Sequence, residues 1–263
     1  MSSPAAPAPL PTARSSEPRG AAEPDGAPLA ALLRWLRTEL AAAQQAGRVR
    51  PLLVGVVGLP GCGKSTLAAS LIQALFDVPS IVVSLDDFYL PADERRARGL
   101  PLRGPPGTHD LALLDAFLDQ LRGPVHTLLV PQFDRARELR RPPLQKLFAP
   151  TAPLALCLIE GWFVGAPAPG YEPLSAALDR LIYLDMAEDD ARAARFAREA
   201  ELRAAGQPVL SEAGVARLWA EALSPHFATW VRPLRERADA VLTLDAAHRA
   251  LTFQASPGDP QRR

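Results

Sequence analysis

The chain contains no asparagine, and only two cysteines and two lysines among its 263 residues. Each shortage removes a class of protein. Two thiols, Cys62 and Cys157, cannot build a disulfide framework or a Cys-x-x-Cys metal site, so the expected compartment is the reducing cytoplasm. No apolar run reaches the roughly 18 to 20 residues needed to span a bilayer. The longest, such as Leu52 to Val57 and Leu154 to Ile159, have strand length. The N-terminus lacks a basic region followed by an apolar stretch and does not read as a secretory signal. Charge of neither sign is in excess, because 29 Lys and Arg balance 29 Asp and Glu. No global field draws the chain to nucleic acid or to an anionic membrane, which leaves small molecules as the expected partners. With 48% hydrophobic and 22% charged residues, the bulk of the chain has the composition of a folded globular protein.

Residues 1–28 hold seven prolines among Ala, Ser and Gly, with little that is large and apolar. This composition predicts a disordered tail. From Leu29 to Ala46 the pattern turns amphipathic, with Leu32, Leu33, Leu36 and Leu40 on one side and Gly47 as the stop, which predicts a helix. Continuous apolar runs follow at 52–57, 80–84, 127–130, 154–159, 180–184 and 240–244, the signature of strands buried on both faces. Helical patterns lie between them at 64–75, 110–121, 187–205 and 211–238, the last broken near Pro225. Strands alternating with helices predict a three-layer α/β/α fold with a mainly parallel sheet. The expected folded unit is 29–250, followed by a C-terminal tail at 251–263. Residues 89–108 and 131–153, rich in Arg, Pro and Gly, read as loops at the C-terminal edge of the sheet, where open α/β folds bind ligands.

The chemistry starts at Gly58, Leu59, Pro60, Gly61, Cys62, Gly63, Lys64, Ser65 and Thr66, which fit the pattern G-x-x-x-x-G-K-[ST]. Glycines let the backbone wrap closely enough for successive N–H groups to face the β- and γ-phosphates of ATP, and the helix that follows adds its positive end. Lys64 supplies a mobile charge, and the Ser65 hydroxyl is a Mg²⁺ ligand. A buried strand before the loop and an amphipathic helix after it are the required context.

Such loops serve GTPase switches, motors, ABC-type ATPases and small-molecule kinases alike. The N-K-x-D motif of guanine recognition cannot occur without asparagine, and no L-S-G-G-Q signature is present. A kinase remains. At the end of the second apolar run, Asp86 and Asp87 stand in Ser84-Leu-Asp-Asp-Phe-Tyr89. In a doubly wound sheet this position faces the phosphate loop from the neighbouring strand, so one carboxylate can accept the proton of a substrate hydroxyl while the other caps the next turn. Asp86 is the candidate base. A fourth run ends in Glu160 and Gly161, where a carboxylate can hold Mg²⁺ directly or through water.

These motifs, with Arg103-Gly-Pro-Pro-Gly-Thr-His-Asp110, Pro131-Gln-Phe-Asp-Arg135 and Glu160-Gly-Trp162, occur in the order seen in the uridine kinase, phosphoribulokinase and pantothenate kinase group. Within that group the chain most resembles the D-glycerate 3-kinases over about residues 50–245. The resemblance implies Mg·ATP-dependent transfer of the γ-phosphate to a hydroxyl of D-glycerate. It makes Asp86 the base, Lys64 and Ser65 the phosphate and Mg²⁺ ligands, and Glu160 the Walker B acid. Arg195 falls in a helical lid at about 187–210. Tyr89, Arg103, His109 and Arg135 are the candidate acceptor-site residues, arginine being suited to bind a carboxylate. The resemblance lapses after Arg135: plant-type glycerate kinases continue with a Gly-rich acidic stretch ending in G-D-R, whereas this chain reads Ala136-Arg-Glu-Leu-Arg-Arg-Pro-Pro143. The alternatives are a related kinase acting on a nucleoside, pantothenate or a sugar, and a non-catalytic nucleotide sensor.

Overall fold

Five of the six expected strands lie side by side in one sheet. The computed structural model describes residues 26–148, 152–207 and 209–256. Its strands are β1 (Leu52–Gly58), β2 (Ser80–Ser84), β3 (Thr127–Asp134), β4 (Leu139–Phe148), β5 (Leu156–Glu160), β6 (Arg180–Asp185), β7 (Ala240–Leu244) and β8 (Ala250–Ala255). Its longer helices are α1 (Ala27–Gln45), α2 (Lys64–Ala74), α3 (Ala92–Ala97), α4 (Leu111–Gln120), α5 (Glu172–Ala177), α6 (Glu188–Ala204) and α7 (Glu212–Leu218). The six-stranded sheet runs β2-β5-β1-β6-β7-β8 and is parallel except for β8. Every residue of β1 and β5 is buried, as central strands covered on both faces require. The fold is three-layer α/β/α. Among the described residues no helix is long and apolar enough to cross a membrane.

Three expectations need correction. The helix expected at Leu29 starts at Ala27, so the boundary drawn at residue 28 falls inside α1; Pro28 stands in its first turn, where its missing N–H costs no hydrogen bond. Residues 1–25 of the expected tail lie outside the described residues. The segment expected as a C-terminal tail instead forms β8 at 250–255, antiparallel to β7. Its Phe253 packs against Trp35 of α1 with ring centroids 6.5 Å apart, so an exposed edge strand with little alternation is fixed by one aromatic contact. Finally, the run at 127–130 does not join the main sheet. It opens β3, which pairs with β4 in a separate two-stranded hairpin where a loop was expected at 131–153. Most of β4 is exposed, which is why its prolines and arginines gave no apolar period.

The edge opposite the ligand side is tied down by Asp179, whose side chain is 9% exposed. Its carboxylate accepts from Arg48 Nη1 at 2.8 Å, Arg50 Nη2 at 2.7 Å and the Leu53 N–H at 2.9 Å. Removing it leaves a buried backbone donor and two cations without their acceptor. Asp179→Ala is therefore expected to lower unfolding free energy by about 2–3 kcal/mol, read as a shift of the urea midpoint with an unchanged slope.

Candidate active site

The phosphate loop follows β1, and its backbone geometry explains its glycines. Gly61 (φ 100°) and Gly63 (φ 88°) lie in left-handed conformations that side chains disfavour. A Cβ on Gly61 would lie 2.2 Å from the Ala191 carbonyl oxygen of α6, so the loop packs directly on the backbone of that helix. Gly63 is the N-cap of α2. Lys64 is nearly buried, and its Nζ donates to the carbonyls of Gly58 (3.0 Å) and Leu59 (2.8 Å). Ser65 and Thr66 are exposed at the start of α2. Cys62 is fully buried, and burial pushes its thiol up; it is a core residue of the loop and not a reactive thiol.

One cavity of about 1100 Å³ spans the site. It is lined by Gly61, Lys64, Ser65 and Thr66 of the loop, by Asp86, Arg135, Glu160 and Trp162, and by Arg195 and Arg198 of α6. Asp86 and Asp87 project from a single 3₁₀ turn at Leu85–Phe88 whose flanking Leu85 and Phe88 are buried, so the two apolar anchors fix where the carboxylates point. The two carboxylates differ in their surroundings, and neither caps the next turn as expected of one of them. The Asp87 carboxylate accepts from the Phe133 N–H at 3.2 Å and holds the hairpin, while Asp86 faces the cavity. A second detail differs: β5 intervenes between β2 and β1, so the strand beside the phosphate loop carries Glu160, and Asp86 stands one strand further away.

Asp86 Oδ2 lies 3.2 Å from Arg135 Nη2. Burial alone would raise the Asp86 carboxyl, but the charges of Arg135, His109, Lys64 and Arg103 together hold it below the usual carboxylate range. Burial pulls the His109 imidazole down to about 4, opposed by Asp86 and reinforced by Arg95; the ring is neutral at pH 7 and gains its charge only in the acid range where the Asp86 carboxyl titrates.

Tyr89, Arg103 and His109, expected in an acceptor site, do not line the cavity but lie near its Asp86 side. Residues 88–90 run antiparallel to 108–110 through Leu90 N to Thr108 O (2.9 Å) and Asp110 N to Phe88 O (2.7 Å). This stacks Tyr89 on His109 at 4.2 Å between ring centroids. His109 Nδ1 meets the Tyr171 hydroxyl at 2.5 Å. Arg103 lies over the Phe133 ring and pairs with Glu138 at 3.1 Å. In α6, Arg195 is held by Glu199 at 2.6 Å, and Glu199 is itself buried.

Sequence reasoning passed over His248, which the turn between β7 and β8 places on the phosphate loop with Nε2 2.7 Å from the Gly61 carbonyl. The two residues are 187 positions apart, and nothing local marks a histidine in a turn as a partner of that loop. Arg95, Glu138, Tyr171 and Glu199 were also missed. Glu160, buried at the end of β5, makes no ion pair among the described residues. With the exposed Ser65 hydroxyl on the same cavity, this hard-oxygen pair fits a Mg²⁺ held mainly through phosphate and water.

A buried parallel sheet, a glycine-wrapped loop capping α2 and carboxylates at the same strand edge define a nucleotide-binding P-loop fold. No family model matches the chain. It is 34% identical to the chloroplastic D-glycerate 3-kinase of Arabidopsis thaliana over 152 residues, 49% of this chain and 30% of that protein. A protein of Silicibacter sp. TM1040, provisionally described as a fructose transport system kinase, has a solved structure that is 31% identical. The match covers 73% of this chain and 89% of that one, with a TM-score of 0.61. The D-glycerate 3-kinase of Cryptococcus neoformans superposes with a TM-score of 0.74 over 88% of this chain and 100% of that one; at 17% identity that likeness is one of fold. The chain spans half or less of the length of the first curated relatives it matches. By its identity to the Silicibacter protein over most of that chain, together with the phosphate loop, it belongs to the P-loop kinases.

Proposed function

We propose that the protein is a cytoplasmic Mg·ATP-dependent kinase that transfers the γ-phosphate to a hydroxyl of D-glycerate. The observation that carries this reading is a single cavity with phosphate-binding groups at one end and, at the other, an ionised carboxylate with no protein hydroxyl to serve. Lys64, held at the loop carbonyls, is positioned to turn its charge to the β- and γ-phosphates. Ser65 and Glu160 would hold Mg²⁺, which when bound neutralises charge on the phosphate oxygens. Asp86 accepts the proton of the attacking hydroxyl, and Arg195 stabilises charge on the phosphoryl group in flight. Trp162 and α6 wall the site from water, which would otherwise compete as acceptor. Arginines at the acceptor end favour an acid over a neutral acceptor.

The test is a coupled assay of ADP release with Mg·ATP and D-glycerate, L-glycerate, uridine, pantothenate and several sugars. Turnover with D-glycerate well above the rest is expected. Turnover only with another acceptor would overturn the substrate, and ATP binding without turnover on any would favour a nucleotide sensor.

A further inference from the structure

Behind the acceptor end of the cavity, two buried polar side chains are left with unanswered hydrogen-bonding atoms. Arg95 of α3 has 0% exposure, yet only its Nη2 has a partner, Glu138 Oε2 at 2.8 Å; Nε and Nη1 are buried without one. His109, 1% exposed, leaves Nε2 unpaired in the same way. His109 Nδ1 meets the Tyr171 hydroxyl. In the tautomer in which that hydroxyl donates to Nδ1, the ring proton is on Nε2, a donor with nothing to receive it.

An arginine keeps its charge in a protein, so full burial requires anions around it. Here one carboxylate serves two guanidiniums, because Glu138 Oε1 also lies 3.1 Å from Arg103 Nε. The cluster carries one positive charge in excess. Glu138 stands in the turn between β3 and β4 at φ 56°, and its carbonyl accepts the Ala92 N–H at 3.0 Å. Its side chain is 37% exposed, which makes it the member of the cluster free to move aside. Arg135, three residues earlier in the same turn, covers Asp86. One turn therefore supplies an anion to the arginines and a cation to the base, the charges that a hydroxy acid and its surroundings would otherwise balance.

We propose that Arg95 and Arg103 form the binding fork for the carboxylate of the acceptor, with His109 Nε2–H as a third donor and Glu138 holding the fork in the free protein. This rests on the kinase reading and adds to it a residue, Arg95, and an acceptor class, a monoanionic hydroxy acid. A planar carboxylate has the two oxygens to which a guanidinium edge donates, and it replaces the Glu138 carboxylate charge for charge when that side chain moves aside.

The experiment measures steady-state kinetics and calorimetric acceptor binding for the full chain and the variants R95K, R95M and E138Q, with melting temperature and ATP affinity alongside. R95K keeps the charge but loses the fork. It is expected to raise KM for D-glycerate roughly 10- to 100-fold, the loss of one charge-assisted pair, with kcat changing less than about threefold and ATP affinity unmoved. E138Q removes the resident anion and is expected to lower that KM several-fold. A lower melting temperature with acceptor KM and binding unchanged in R95K would make Arg95 a purely structural ion-pair member and overturn the proposal. If the Arg95 variants do not fold, E138Q decides, and an unchanged or raised KM overturns it. Wild-type turnover of a neutral acceptor alone defeats both the fork and the glycerate reading. Turnover of a different hydroxy acid defeats glycerate alone, and the fork then stands or falls on the R95K effect with that acid.

Discussion

Asp86→Asn is expected to lower kcat by about 10³-fold, within the range of positioned general bases, while changing ATP affinity less than about twofold. The separation of the two effects follows from the site. The phosphate-binding groups belong to β1, the loop and α2, whereas Asp86 belongs to the turn after β2, with β5 between them. Asparagine preserves the size and a hydrogen bond to the acceptor hydroxyl but offers no comparable proton acceptor. The pH profile supplies an independent readout. Arg135, His109, Lys64 and Arg103 together outweigh the effect of burial and hold the Asp86 carboxyl below its ordinary range. It is therefore ionised throughout neutral pH, and kcat/KM should fall only in acid below that range. An acid limb above pH 6 would assign the base to another group. A loss below tenfold in single-turnover measurements would mean that a loose transition state needs little help with the proton, and would remove Asp86 from the role.

The parts of this site that were legible are those in which chemistry is contiguous. The phosphate loop declares itself within nine residues, and Asp86 and Glu160 do so as acids ending apolar runs, because a buried strand must stop where a charge reaches the sheet edge. The order of the strands is a different kind of fact. It depends on crossovers, and so Asp86 was placed one strand too near. The hairpin of β3 and β4 escaped because its outer strand faces water and carries Arg140, Arg141, Pro142 and Pro143 where an alternating pattern would stand. Around His109, which its motif had marked, Arg95, Glu138 and Tyr171 escaped for a tertiary reason: they come from three other segments and meet through contacts that no spacing encodes. Arg95 in particular reads as one charge in the run Glu94-Arg-Arg-Ala-Arg98, yet it alone of those arginines is fully buried.

The same tertiary logic gives Gly61 an importance beyond its place in a motif. A methyl group there meets the Ala191 carbonyl oxygen at 2.2 Å and the Arg195 backbone nitrogen at 3.2 Å. Neither contact is with a flexible side chain, so the loop or α6 must shift as a body. The residue also sits at φ 100°, a strained conformation for any side chain, at a cost of about 1–3 kcal/mol. Its carbonyl receives His248 from the β7–β8 turn. Three elements thus converge on one backbone unit: the phosphate loop, the helix that carries Arg195, and the turn that closes the far side. Gly61→Ala is accordingly expected to weaken ATP binding by about 100-fold or more in equilibrium titration, and to separate Arg195 from the phosphates. Gly123→Ala is the matched control, since a Cβ there meets nothing within 4 Å; it should leave ATP affinity unchanged. Unaltered binding in the Gly61 variant would show that α6 stands clear of the loop when nucleotide is bound.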